Sequence, residues 1–237
     1  VHGVWPRAFD RWQSARPFYG NWFRLRLPAA ELDALEHEEL VKDRVRVLLA
    51  RWGLIFRELL VRELAPLQWG QVFRTLRLME LSGEVVAGHF FAGIRGLQFL
   101  SHAAFKTLRK GLAQDVVWWL SAADPASLAG VEVEGLRTEL PARQRTTHLV
   151  YHGTRLVLVS LRRGKELDIR VAPEDPHFED YLEVFKVLLT REFRPLRAIE
   201  IETINGEPAL ASPYTERLGE HFHLTREQRS VKLWKRY

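Results

Sequence analysis

The 237-residue sequence has no cysteine. That excludes disulfides, thiolate zinc sites and cysteine nucleophiles together, and it fits a reducing compartment, here expected to be the cytoplasm. No apolar run approaches the roughly 18 residues that a bilayer-spanning helix needs, so no membrane partner is expected. No targeting leader is expected in this stretch: Val1 stands where Met would begin a gene product, and Trp5 to Arg7 read as mid-protein sequence, as expected of a fragment of a longer chain. A nucleotide-driven motor needs a phosphate loop of the form G-x-x-x-x-G-K-[ST]. The one Gly-Lys pair, Gly164-Lys165, lacks both the upstream glycine and the following hydroxyl, and it reads as a turn. The G-x-S-x-G and H-E-x-x-H patterns are absent, as are internal repeats and low-complexity segments.

What is present points to binding rather than chemistry. Hydrophobic residues make up 46% of the chain, enough for one sizeable core or two small ones. The net charge is +5, and its location matters more than its size. Between Arg51 and Lys110 there are nine basic and four acidic residues, so this one stretch carries the whole excess. Localised basic charge is the footprint of a phosphate-facing surface, although it also serves solubility.

The same stretch has a recognisable order of elements. Apolar positions 40, 41, 45, 47, 48 and 49 give a helix over 38–52, ended by Gly53. Leu54-Ile55-Phe56 is a minimal strand, and 57–63 a second helix stopped by Ala65-Pro66. Residues 68–81 form a third helix, with Val72, Leu76 and Met79 inward and Arg74 and Arg77 on another face. Strands at 84–87 and 97–100 flank a glycine-rich tip carrying His89 and Arg95, where a cation can reach phosphate. A basic helix follows from Ser101, a good N-cap, to Lys110. Helix, strand, two helices and a two-stranded wing make a winged helix, a fold that most often holds nucleic acid.

Residues 1–27 interleave aromatics with arginines, a pattern that can stack bases and hold phosphates, or can equally be a packing arm under arginine stems. Residues 28–37 are an acidic connector. After residue 113 the pattern becomes α+β. A strand is expected at 116–120, a hairpin over 146–151 and 154–160, and a further strand at 167–171. An amphipathic helix spans 178–190, a second hairpin turns at Asn205-Gly206, a short helix spans 213–219, and the last strand is 230–234. The fold class is therefore α+β: an arm and connector (1–37), a winged helix (38–112), and a mixed α/β module with antiparallel hairpins, as a sheet or partial barrel (113–237).

Candidate chemistry is thin. His148 and His152 fall on a strand and turn, not on one helical face. His221-x-His223 could place two imidazoles on one side of a strand, but no third ligand follows at readable spacing, so no metal is expected. Asp124, ahead of Pro125, could be a catalytic carboxylate and is more simply an Asx-turn.

Several stretches, in order along nearly the whole chain, resemble a known family. They are Gly20-Asn21-Trp22 (family Gly-Arg-Trp), Leu48 to Leu59 (family Leu-Leu-x-Arg-Tyr-Gly-Val-x-x-Arg-Glu) and Leu76 to Val85. Gly88 to Phe99 (family Gly-x-Phe-Val-x-Gly-x-x-Gly-x-Gln-Phe), Leu120 to Pro125 and Glu202 to Gly206 complete the set. Together they resemble the C-terminal, non-motor part of Lhr-type, large helicase-related proteins, superfamily II DNA helicases tied to DNA repair. Trp52 in place of Tyr and Leu97 in place of an acidic residue depart from the pattern. The resemblance implies a region that clamps the tracked strand, with Trp22 stacking on a base at about 1–3 kcal/mol. The expected partners are single-stranded or tailed duplex DNA, or an RNA–DNA hybrid, and helicase motor domains upstream in the parent protein.

The DNA-facing set expected from the residues and the resemblance together is Trp22, Arg24, Arg51, Trp52, Trp69, Arg74, Arg77, His89, Arg95, Gln98, Lys106, Arg109 and Lys110. No catalytic residue, metal ligand or cofactor is expected. Family C-terminal regions also resemble tandem winged-helix glycosylases of the AlkZ/YcaQ type, which carry Gln-x-Gln or Gln-x-Asp. Gln98-Phe99-Leu100 has the first glutamine and not its partner, so glycosylase activity is the alternative rather than the expectation. A protein-docking or oligomerisation module is a third.

Overall fold

A computed structural model of the chain describes residues 32–236. The aromatic arm, with Trp22 and Arg24, lies outside the described residues. The chain divides after His37, and the residues beyond it form one compact unit.

Helix α1 spans Ala34–Trp52 and begins four residues before the expected start. The cause is a capping box: Asp33 Oδ1 accepts the Glu36 N–H at 2.8 Å, and Glu36 Oε2 accepts the Asp33 N–H at 2.9 Å. Its buried residues, Val41, Val45, Leu48 and Leu49, follow the helical period. Gly53, at φ +68°, ends it, and β1 (Leu54–Ile55) follows. The expected second helix is two 3₁₀ turns, Glu58–Arg62 and Ala65–Leu67. Glu63 and Leu64 are extended between them (ψ 159° and 146°), and Pro66 has no N–H to return, so no helix can run through.

Helix α2 (Trp69–Leu81) buries Val72, Thr75, Leu76 and Met79. It closes in a Schellman motif, with Glu84 N–H on Met79 O at 2.7 Å and Gly83 N–H on Glu80 O at 2.9 Å. Strands β2 (Val85–Gly88) and β3 (Gln98–Ser101) are the wing, in a sheet of order β1-β3-β2. Helix α3 (His102–Lys110) is capped by Ser101, whose Oγ accepts the Ala104 N–H at 3.1 Å. The core beneath joins Val45, Leu48, Ile55, Leu60, Val72, Leu76, Met79 and Phe99.

The second half contains β4 (Val117–Ser121), α4 (Glu134–Glu139), β5 (His148–His152), β6 (Arg155–Leu161) and β7 (Glu166–Ile169). Next come α5 (Phe178–Tyr181), α6 (Glu183–Thr190), β8 (Ile199–Ile201), β9 (Thr203–Ile204) and β10 (Glu207–Pro208). Helix α7 (Tyr214–His221), β11 (His223–Arg226) and β12 (Val231–Trp234) finish the described chain. Two open sheets result, of order β10-β9-β7-β6-β5-β4 and β11-β12-β8, so the module is not a barrel. Its larger core lies among β5 to β8, α5, α6 and β12.

Particular residues explain where expectation and structure part. The helix expected over 178–190 breaks at Leu182, which lets both Phe178 and Tyr181 and, further on, Phe185 and Leu188 reach one core. Asn205 and Gly206 take φ +53° and +82°, the conformation a two-residue hairpin turn needs. The Asn205 amide also bridges Ile169 N and O at 2.6 and 2.9 Å. His221 ends α7 while His223 starts β11, so the two imidazoles do not share a strand face as supposed. Asp124 is an Asx-turn: its Oδ1 accepts the Ala126 N–H at 2.8 Å.

His148 sets a pH dependence. Burial, helped by the Arg191 charge, holds its imidazole below the ordinary value of 6.5. The fold therefore favours neutral His148, a contribution that is full above about 6.5 and lost as pH falls through the depressed folded value. Urea unfolding at about pH 7 and about pH 5 should show His148→Gln losing less stability on acidification than wild type. Equal losses would contradict this.

Candidate nucleic-acid interface

The fold sorts the charges of the stretch 51–110. Three of its four acids are neutralised by arginines. Glu63 pairs with Arg51 and Glu80 with Arg77, while Glu84 takes Arg46 through Nε at 2.7 Å and Nη2 at 3.1 Å. Arg46 holds the Glu84 carboxyl below its usual range. Arg62 stays exposed but donates to Ala129 O at 3.3 Å. It lies so close to Gly130 that an added Cβ would collide with its guanidinium.

Seven cations of the stretch stay exposed with no carboxylate partner among the described residues: Arg62, which bonds only the Ala129 carbonyl, and Arg57, Arg74, Arg95, Lys106, Arg109 and Lys110. The last three, spaced i, i+3 and i+4, share one face of α3. Arg74 stands on α2 next to Phe73, whose ring lies 5.0 Å from Trp69 and 6.2 Å from Phe99. Arg95 shares an open groove of about 620 Å³ with Glu58, Glu132, Glu134 and Arg137. That company of acids weakens its claim to a phosphate relative to Arg74.

Other members of the expected set serve the fold instead. Arg51, 28% exposed in its side chain, is held by Glu63 and lies 5.1 Å from the Trp52 ring centre. Trp52 packs into the winged-helix core and into the small core of Phe56, Leu59 and Val131. The Trp69 ring sits against Phe99 at 6.1 Å. Gln98 is the clearest correction. It is 0% exposed, and its Oε1 accepts the Phe90 and Phe91 N–H groups at 3.1 and 3.0 Å. Its Nε2 donates to Phe91 O at 3.0 Å and Ile94 O at 3.4 Å. The amide fastens the wing loop and has no surface left for a base.

The structure thus leaves Arg74, His89, Arg95, Lys106, Arg109 and Lys110 outward, and it turns Arg51, Trp52, Trp69, Arg77 and Gln98 to internal contacts. Arg57 is an addition that the sequence analysis does not single out. In sequence it resembles Arg62; both are exposed, and only tertiary packing shows that Arg62 is also tied to a backbone carbonyl.

Residues 34–119 match the family described as Large helicase-related protein, winged-helix domain. Over those residues the chain is similar to the Lhr winged-helix domain. The matched segment opens at the start of α1 and closes inside β4, so it takes in every element of the winged helix. The chain is also 25% identical over 203 residues to the Lhr helicase/uracil glycosylase of Escherichia coli (strain K12). That alignment covers 82% of this chain and 13% of the relative, so the chain spans a small part of the bacterial protein's length. Within the described residues, no helix is long and apolar enough to cross a membrane.

Proposed function

We propose that the chain is the DNA-holding, non-motor region of an Lhr-type ATP-dependent DNA helicase that serves DNA repair. The observation that carries this is the sorting of charge: three of the four acids of the stretch 51–110 are paired with arginines, and seven of its cations are left exposed without a carboxylate. Such a surface attracts phosphates without reading base edges, which suits a strand-holding accessory better than a sequence-specific reader. Arg74 and the α3 cluster take the backbone, Trp22 of the N-terminal arm stacks on a base, and motor domains upstream move the strand. Fluorescence anisotropy with single-stranded and tailed duplex DNA tests this. Binding should weaken linearly in log salt, and it should weaken again on Trp22→Ala. Salt-independent binding, or none, would remove the proposal.

The name of the bacterial relative favours one second reading, base excision. That chemistry needs a polar group beside the sugar as the glycosidic bond breaks. Here Gln98 is fully engaged and Leu100, two residues on, is a buried apolar residue. Incubation with uracil-containing oligonucleotides, followed by alkaline cleavage of abasic sites, should give no product above buffer.

A further inference from the structure

Outside the winged helix, Asp115, His152 and His177 come together from three separate segments: the approach to β4, the end of β5 and the turn into α5. Each offers one ligand atom, and the three atoms lie within 4.8 Å of one another. His152 Nε2 is 3.6 Å from Asp115 Oδ1, and the two imidazole rings stand edge to face, 4.6 Å between centres.

The second nitrogen of each ring is already held. His152 Nδ1 lies 2.8 Å from the Tyr181 hydroxyl oxygen, and that hydroxyl donates to Asp175 Oδ1 at 3.1 Å. With that proton given to Asp175, the phenol oxygen can only accept from His152. Nδ1 therefore carries the imidazole hydrogen, and Nε2 presents a lone pair towards Asp115. His177 is oriented likewise, with Nδ1 3.3 Å from Asp180 Oδ2 and its backbone N–H on Asp175 Oδ1 at 2.9 Å. Imidazoles steadied through the far nitrogen by a carboxylate or its relay are the usual surroundings of metal-binding histidines.

Two acceptors facing each other need a cation between them. Tetrahedral ligation with bonds of about 2.0–2.1 Å places neighbouring ligand atoms about 3.4 Å apart, within a few tenths of an ångström of the His152–Asp115 separation. Asp115 is exposed and His177 half-buried, so these two can close the remaining distance, whereas His152, 15% exposed in its side chain, is the fixed anchor. We propose that Asp115, His152 and His177 form a three-ligand site for a zinc-class divalent metal ion, with Tyr181, Asp175 and Asp180 as positioning residues. The fourth position takes water. It opens towards a groove of about 750 Å³ whose charged lining is mainly carboxylate, Glu179, Asp180 and Glu183 beside Lys186, so it is no phosphate site. Asp115 lies between the end of α3 and β4, so the metal pins the connection leaving the winged helix to the sheet of the second half.

The test uses the whole 237-residue chain, stripped with chelator and titrated with Zn²⁺ by calorimetry and with Co²⁺ by visible absorption. One equivalent should bind with a Kd on the order of 1 µM or tighter, and Co²⁺ should show the intense bands of a tetrahedral site. His152→Ala and His177→Ala should each weaken binding at least about 100-fold, and Tyr181→Phe, which spares every ligand, about 10–100-fold. Circular dichroism checks that all three variants keep the fold. The absence of one-equivalent binding, or binding that survives the His152→Ala/His177→Ala double variant, overturns the site.

Discussion

Gln98→Leu is expected to destabilise the chain by about 2–3 kcal/mol, lowering Tm by about 5–10 °C. Leucine fills the space and removes the amide, which leaves the Phe90 and Phe91 N–H groups and the Phe91 carbonyl without their partner. An unmet buried polar group costs about 1–3 kcal/mol, and water reaches part of this loop, so the three losses are not fully additive. Gln71→Leu, at an exposed position of α2, is the control and should stay within about 0.5 kcal/mol of wild type. Thermal unfolding followed by circular dichroism separates the two. A Gln98→Leu protein as stable as the control would contradict the role given to this amide. The same variant should also bind DNA more weakly, since an unfastened wing loop no longer positions its residues.

The second large effect concerns binding alone. Changing Arg74, Lys106, Arg109 and Lys110 to serine together should weaken DNA binding about 100-fold at moderate salt. Each exposed charge contact contributes about 0.5–1 kcal/mol, and about 1.4 kcal/mol is tenfold. The slope of log affinity against log salt should fall by about three, because roughly 0.7–0.9 counterions return for every lost phosphate contact. Stability should hardly change, for none of the four makes an ion pair among the described residues. An unchanged affinity and slope would move the DNA contact elsewhere in the chain.

The periodic elements were legible in the sequence because their cause is local. Val72, Leu76 and Met79 mark the inner stripe of α2, Ser101 caps α3, and Asn205-Gly206 fixes a hairpin, each within a few residues. The winged-helix order followed from such signals. The destinations of polar side chains did not, since they are set by neighbours distant in sequence. Arg46 finds Glu84 and Arg62 finds Ala129 only once the chain has folded. Gln98 and Arg74 look equally available in the sequence; one is sealed into the wing and the other is exposed. Strand β11 was missed because His-Leu-Thr-Arg buries almost nothing at the sheet edge and so shows no alternation. The Asp115, His152 and His177 grouping has no sequence spacing at all, because the loop into β4, the end of β5 and the turn before α5 meet only in the folded module.

Hydrogen–deuterium exchange of the whole chain, with and without tailed DNA, tests most directly whether the winged helix is the gripping surface. DNA should slow exchange in α2, the wing loop 89–97 and α3, and leave β8, β11 and β12 unchanged. Protection confined to residues 199–234, with the winged helix unaffected, would contradict it.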